Sequence, residues 1–323
     1  MTSRSNAETL VTVYGGSGFL GRHVVRALAR RGYRIRVAVR RPDLAFHLQP
    51  LGRVGQIHAV QANLRHAPSV QAAARDANVL INLVGILFER AKQSFNAVHT
   101  HGAEQVALAA SAHGARLVHV SAIGADANSR AAYARSKAEA ERLVLAAEPQ
   151  AVIMRPSVIF GPEDDFFNRF AAMARISPAL PLIGGGETRF QPVFVGDVAE
   201  AIAEAVDGNA RGGTIYELGG PEVKTFEQLL RFVLTTIGRK RLLVPVPFFA
   251  AKIKAALLQF MPKPPLTPDQ VELLKVDNVV SEAANADRRT LEGLGIAPES
   301  MEVIVPAYLW RFRKTGQFRS RTA

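Results

Sequence analysis

Tyr133 and Lys137 stand four residues apart in the run Tyr133-Ala-Arg-Ser-Lys137. On a helix that spacing puts both side chains on one face, one turn apart. An ammonium beside a phenol favours the phenolate and lowers its pKa. A tyrosine so placed is a usable general acid or base for carbonyl and alcohol chemistry. Such pairs also occur as plain surface features, so the pair takes its meaning from the elements around it. A third group, a hydroxyl that orients the substrate oxygen, is sought in His119-Val120-Ser121-Ala122-Ile123-Gly124. Only Ser121 carries one, and Ile123, two residues on, can donate nothing.

A second constellation is Gly15-Gly16-Ser17-Gly18-Phe19-Leu20-Gly21. The apolar run Leu10–Tyr14 precedes it, and Leu20, Val24, Val25 and Leu28 follow at helical spacing. A strand, a glycine loop and a helix in that order form a dinucleotide fingerprint. Gly15 and Gly18 let the backbone turn and approach a pyrophosphate, Gly21 lets helix and strand pack closely, and the helix N-terminus offers N–H groups to phosphate. The end of the second strand reads the adenosine ribose: an acid there accepts the ribose hydroxyls, whereas arginine accommodates a 2′-phosphate. This chain has Arg40-Arg41 and no acid before Asp43, so NADP(H) is expected in preference to NAD(H). Lys137 then has a second task, holding the nicotinamide ribose, and Tyr133 is expected among the cofactor contacts with it.

The elements that must position these groups alternate. Strands are expected at 34–39, 56–61, 79–84, 116–120 and 151–154, with helices at about 94–113 and 131–147. Strands alternating with helices give a parallel sheet with right-handed crossovers, so the fold class is α/β, a doubly wound Rossmann sheet. After Arg155-Pro156, Gly and Pro cluster at Gly161-Pro162, Pro178, Pro181 and Gly184–Gly186. Residues 1–160 are expected to form the dinucleotide-binding domain, with 190–220 returning to it. Residues 161–323 then form a smaller C-terminal α/β domain. Asp197 is expected to cap a helix over 198–207.

Composition sets limits. The chain has 323 residues, 48% of them hydrophobic, and no cysteine, which excludes thiol catalysis, Cys-ligated zinc and disulfides. No metal site is expected. Residues 1–9 are polar, so no signal peptide is expected, and no apolar run reaches the ~18 residues of a spanning helix. Forty Lys+Arg against 28 Asp+Glu leave +12. Eight arginines and no acid lie between Arg22 and Arg41, and Arg311, Arg313, Lys314, Arg319 and Arg321 crowd the end. That excess favours anionic partners. An anionic membrane surface fits better than nucleic acid, for which no recognition module is present. The run Phe248–Met261 carries only Lys252 and Lys254 as charges. It reads either as an interfacial helix or as a core helix of the small domain.

The glycine loop, Asn63-Leu64, Asn82-Leu83-Val84-Gly85, Tyr133…Lys137 and Arg155-Pro156-Ser157-Val158-Ile159-Phe160-Gly161-Pro162 together resemble the extended short-chain dehydrogenase/reductase superfamily, over roughly residues 9–220. Glu163–Phe170, Gln191–Val195, Val244–Ala250, Leu266–Val271, Leu294–Pro298 and Tyr308–Arg313 are similar to the nucleotide-binding accessory subunit of respiratory complex I and its bacterial relatives, over nearly the whole chain. The resemblance implies a tightly held, structural NADPH. It implies peripheral-arm subunits of complex I as partners, and a cytoplasmic place at the inner face of the membrane. It puts Asn63 and Leu64 near adenine, Leu83, Val84 and Gly85 along the middle of the cofactor, and Pro156, Ser157 and Val158 facing the nicotinamide. Two departures stand out: Ile123 where relatives usually have Ser or Thr, and His99 where they often have Asn. A free-standing NADPH-dependent reductase, epimerase or dehydratase using Tyr133 and Lys137 is the alternative, with no substrate named by the sequence.

Overall fold

The computed structural model describes residues 5–262 and 264–314. Its first half alternates strand and helix: β1 (Leu10–Tyr14), α1 (Phe19–Arg30), β2 (Arg34–Val39), β3 (Ile57–Gln61), α2 (Ala67–Ala74), β4 (Val79–Asn82), α3 (His101–His113), β5 (Arg116–Val120), α4 (Ala132–Ala147) and β6 (Val152–Pro156). Then follow β7 (Ile159–Phe160), α5 (Phe166–Ile176), β8 (Ala179–Ile183), β9 (Arg189–Phe190), β10 (Val193–Phe194), α6 (Val195–Asp207) and β11 (Ile215–Leu218). The last part holds β12 (Lys224–Thr225), α7 (Phe226–Thr236), β13 (Leu242–Val246), α8 (Phe248–Leu258), α9 (Pro268–Leu273), α10 (Glu282–Ala286), α11 (Met301–Ile304) and α12 (Pro306–Leu309).

The chain divides into two compact units. The first comprises Met1–Pro156, Gly196–Leu218 and Glu282–Ile296. Its seven-stranded sheet has the order β11-β6-β5-β4-β1-β2-β3, with every neighbouring pair parallel. Strand order reverses between β1 and β4, the switch point at which doubly wound sheets bind ligands beyond the strand carboxyl ends. Val11 and Val13 are fully buried, as are Leu80 and Ile81, because helices cover both faces. On one face Tyr14, Leu80 and Leu117 pack against alanines 103, 107, 110 and 140 of α3 and α4. Alanine there lets the helices sit close to the β-branched strands.

The second unit comprises Ser157–Val195, Gly219–Ser281 and Ala297–Ala323. Its strands pair two by two: β7 with β10, β9 with β12 and β8 with β13. Phe160, Phe167, Phe190 and Phe226 form its core with Leu229, Leu230 and Val233 of α7. Thr225 caps α7 through a reciprocal bond with Gln228. Buried Asp164 accepts N–H bonds from Gly161 and Asn168 and the hydroxyl of Tyr308. Burial pushes its carboxyl above the usual range, against those bonds.

Four local expectations change. Asp197 lies inside the first turn of α6, which starts at Val195, so it is not the N-cap. Residues 282–296 belong to the first unit, not to the C-terminal part. The helix expected from about 94 opens with a π-helical turn at Asn96–Thr100 before α3 begins. The run Phe248–Met261 forms α8 only as far as Leu258. That helix buries Ala251 and Ala255 while exposing Phe249, Ile253 and Leu257. No helix among the described residues is long and apolar enough to cross a membrane. Arg319 and Arg321 lie outside the described residues.

Candidate dinucleotide site

The glycine loop joins β1 to α1 at the switch point. Gly15 has φ +82°, a left-handed conformation that favours glycine. A Cβ on it would approach Val84 Cγ2 to 3.0 Å. Gly18 N–H donates to Gly15 O at 3.0 Å, closing the turn. Gly21 packs so tightly under the loop that a Cβ would come within 2.4 Å of Gly15 O. The N-cap of α1 is Gly18, no side chain caps it, and its first turn holds no acid. Phe19 and Leu20 supply the first N–H groups of the helix. Its positive end is thereby left to an anion.

The expected adenosine groups lie at the same carboxyl edge. Arg40 follows β2 and donates to Gln93 Oε1 at 3.0 Å. Arg41 pairs with Asp43 at 2.9 Å. Asn63 follows β3, and its Oδ1 accepts from Arg65 N–H. Leu64 turns its side chain into the core, 7% exposed, so it has only backbone to offer an adenine. Leu83, Val84 and Gly85 leave β4 directly beside the glycine loop, where Leu83 N–H donates to Tyr14 O.

At the other end, the Tyr–Lys pair occupies the first turns of α4. Lys137 is 5% exposed, and its Nζ donates to Val120 O at 3.1 Å. Burial pushes its ammonium down to about 8, while the Glu141 carboxylate one turn on acts the other way. Gly85 sits between Lys137 and His99: a Cβ there would stand 3.6 Å from both Lys137 Nζ and His99 Nε2. Tyr133 packs edge-on against the rings of His99 and Phe95, with centroids 5.3 and 5.8 Å apart. Pro156 ends β6, and its carbonyl accepts from Ile123 N–H at 3.0 Å.

Near this pair lie His99, already marked by its departure from relatives, and two groups that a search for hydroxyls and lysines misses, His119 and Glu141. His99 Nε2 accepts from Ile86 N–H at 2.9 Å, and its Nδ1 lies 2.9 Å from Ser136 Oγ. Since Ser136 Oγ donates to Tyr133 O, His99 is the neutral Nδ1–H tautomer. Burial first and Lys137 second push its pKa down to about 2. His119, likewise pushed down to about 3 by burial and Lys137, takes a bond from Asn82 Nδ2 on its Nδ1. Glu141, 4% exposed, holds Arg155 with bonds of 2.8 and 2.5 Å. His119 and Glu141 lie on β5 and α4 and His99 in the π-helical turn, and only folding shows their pairing.

Ser121 lies two residues past His119, just beyond the end of β5. Among the described residues, buried Ser121 Oγ and His119 Nε2 find no hydrogen-bond partner. A buried orphan of this kind calls for a ligand or a water. Together with the cradle at Gly15–Gly21 and the uncapped helix end, these residues fit a dinucleotide. The structure brings Gly15–Gly21, Leu83–Gly85, Ser121, Tyr133, Lys137 and Pro156 to one unit. It assigns Ser157 and Val158 to the other, where Ser157 Oγ and Val158 N–H donate to Asn278.

The fold is that of a doubly wound, Rossmann-type α/β protein, and comparison with known proteins narrows it. The sequence pattern of the NAD-dependent epimerase/dehydratase family matches residues 11–219, and the chain belongs to that family, within the extended short-chain dehydrogenase/reductases. It is 38% identical, over 97% of its length and 80% of the relative's, to mitochondrial NADH dehydrogenase (ubiquinone) 1 alpha subcomplex subunit 9 of Arabidopsis thaliana. It is 34% identical to a ceramide reductase of Caulobacter vibrioides, over 75% of each chain. The NADPH-dependent quinone oxidoreductase QOR2 of Escherichia coli shares the fold, with TM-score 0.73 over 93% of this chain and 99% of that one, at 18% identity.

Proposed function

We propose that this protein binds NADP(H) as a largely structural cofactor and associates with the peripheral arm of respiratory complex I. The observation that carries the reading is near full-length similarity to a subunit of NADH dehydrogenase, joined to a dinucleotide cradle whose catalytic set is incomplete at Ile123. Gly15, Ser17, Gly18, Phe19, Leu20 and Gly21 would hold the pyrophosphate, with Arg40 and Arg41 at the 2′-phosphate. Asn63 and Leu64 would hold the adenine, and Leu83 to Gly85, Lys137 and Pro156 the nicotinamide half. Purification from native membranes, with mass spectrometry of bound nucleotide and co-purifying proteins, tests it. The expected result is NADP(H) together with NADH:quinone oxidoreductase subunits. Recovery of the protein without those subunits refutes the association.

A second reading rests on the intact Tyr133–Lys137 pair and the similarity to a ceramide reductase: reduction of a carbonyl on a small or lipid-linked substrate. A bound NADPH supplies hydride. Tyr133 would deliver the proton to the product oxygen, Lys137 would favour its phenolate, and Ser121 Oγ would orient the oxygen. In that case Tyr133→Phe lowers carbonyl-dependent NADPH oxidation by about 10²-fold or more. Equal turnover in the variant removes Tyr133 from the chemistry.

The reading also places the protein peripherally on the inner face of the cell membrane. Between Arg239 and Thr267 there is no acid, and α8 turns Phe249, Ile253 and Leu257 outward, with Phe260 84% exposed just beyond it. An apolar stripe flanked by cations suits an anionic lipid surface. Flotation with liposomes should therefore carry more protein when they contain phosphatidylglycerol than when they are purely zwitterionic. Equal flotation argues against an electrostatic anchor.

A further inference from the structure

The segment from Ile86 to Ser94, between β4 and the π-helical turn, is tied down at three places. At its start, Ile86 N–H donates to His99 Nε2. At its end, Glu89 Oε1 takes Phe95 N–H at 2.7 Å. Its tip is a tight turn in which Arg90 and Gln93 exchange backbone bonds of 3.0 and 2.9 Å, with Ala91 at φ +49°. From that tip, Gln93 Oε1 accepts Arg40 Nη1 at 3.0 Å and the Lys92 carbonyl accepts Arg65 Nη1 at 3.1 Å.

Topology shows what this strap crosses. It leaves β4, and it is fastened to residues that follow β2 and β3. In the sheet, β1 lies between β4 and β2. With strands about 4.8 Å apart, the strap spans about 10–15 Å across the carboxyl end of β1, which is the end that carries the glycine loop. The strap therefore crosses beside the loop that would cradle a dinucleotide.

The two arginines after β2 are treated differently. Arg41 has its charge answered by the Asp43 carboxylate. Arg40 is held by a neutral amide, and among the described residues it makes no ion pair. A neutral acceptor aims a guanidinium without cancelling its charge, so Arg40 keeps its full attraction for a phosphate.

We propose that Gln93 is a positioning residue that sets the cofactor preference of this protein, by holding Arg40 ready for the adenosine 2′-phosphate from a strap that Arg65 secures. The proposal rests on the NADP(H) reading given above. Gln93 acts through Arg40, so its removal changes the response to NADPH and leaves the response to NADH alone. A carboxylate at the same place keeps the geometry, neutralises Arg40 and repels the phosphate.

Calorimetric titration of the full-length protein with NADPH and NADH tests this in wild type, Gln93→Ala, Gln93→Glu, Arg40→Ala and the double variant Arg40→Ala/Gln93→Ala. Gln93→Ala should weaken NADPH binding several-fold with NADH unchanged. Gln93→Glu should lower the NADPH-to-NADH affinity ratio by about tenfold or more, since charge-assisted contacts are the strong ones. In the Arg40→Ala background the Gln93 substitution should change nothing further, because the two act as a unit. Thermal melting of each variant without nucleotide should match wild type. An affinity ratio left unchanged by Gln93→Glu, or NADPH and NADH weakened alike by Gln93→Ala, overturns the proposal while the NADP(H) reading stands. A wild type that binds both nucleotides equally overturns that reading, and this proposal with it.

Discussion

Gly21→Ala should abolish useful dinucleotide binding. The added Cβ would lie 2.4 Å from Gly15 O and 2.6 Å from Gly16 C and Cα, all of them backbone atoms. No side chain can swing aside, so α1 must move away from the loop that it presents to phosphate. Overpacking of this kind costs about 1–3 kcal/mol, and each 1.4 kcal/mol is about tenfold in affinity. The displaced helix end also loses its aim at the pyrophosphate. Titration of the variant by quenching of nicotinamide fluorescence should show affinity down by more than about tenfold, and thermal melting should show a less stable protein. A variant that binds like wild type would mean that the cradle is not the binding site.

Glu141→Gln conserves shape and should still produce a large loss of stability. Glu141 is 4% exposed and grips Arg155 with two bonds, while Glu217 stands 3.6 Å from the same guanidinium. Removing one partner of a buried pair leaves the other charge uncompensated, at about 3–5 kcal/mol. Because Arg155 keeps Glu217 and is 21% exposed in its side chain, the lower end, about 3 kcal/mol, is expected. The substitution also removes the carboxylate that holds the Lys137 ammonium up, so its pKa falls below about 8. The sign of the pH effect follows. The folded-state value of Lys137 lies below the ordinary 10.5, so the unfolded chain binds the extra proton between the two values. Stability therefore carries its full burial penalty below pH ~8 and recovers as pH rises toward ~10.5. In Glu141→Gln that recovery starts at lower pH. Urea midpoints measured across pH 6–10 check both parts, and a variant with the wild-type midpoint throughout would remove the ion pair from the structural account.

The glycine loop and the strand–helix alternation were legible because each depends on neighbours in sequence. Leu10–Tyr14 is apolar throughout, since both sheet faces are covered, and the loop that follows could only be a tight turn. Tyr133 and Lys137 were legible for the same reason, being one helical turn apart. The π-helical turn at Asn96–Thr100 was not, because its apolar spacing is that of an ordinary helix over so short a run. Nor was the fixed tautomer of His99, which depends on Ile86 N–H and Ser136. The Arg40–Gln93 bond joins residues 53 apart, and the Ser157–Asn278 bond residues 121 apart. No periodicity reports partners at such range. The departure at Ile123 was visible in the sequence, and the orphaned Ser121 Oγ and His119 Nε2 now give it a chemical setting: buried polar atoms stand ready there without the expected second hydroxyl.

The return of residues 282–296 to the first unit has a consequence for how the chain is made. β11 is, with β3, one of the two edge strands of the seven. Its outer edge is sealed by this late segment: Glu217 N–H donates to Arg289 O at 2.9 Å, and Arg289 Nη1 donates to Ile215 O at 2.7 Å. During synthesis at about 5–20 residues per second, β11 leaves the ribosome several seconds before its cover. Through that interval the β11 edge is bare, the kind that pairs with other chains. A nascent chain stalled or cut after Leu218 would keep that edge open, and it is covered only when Arg289 has been delivered.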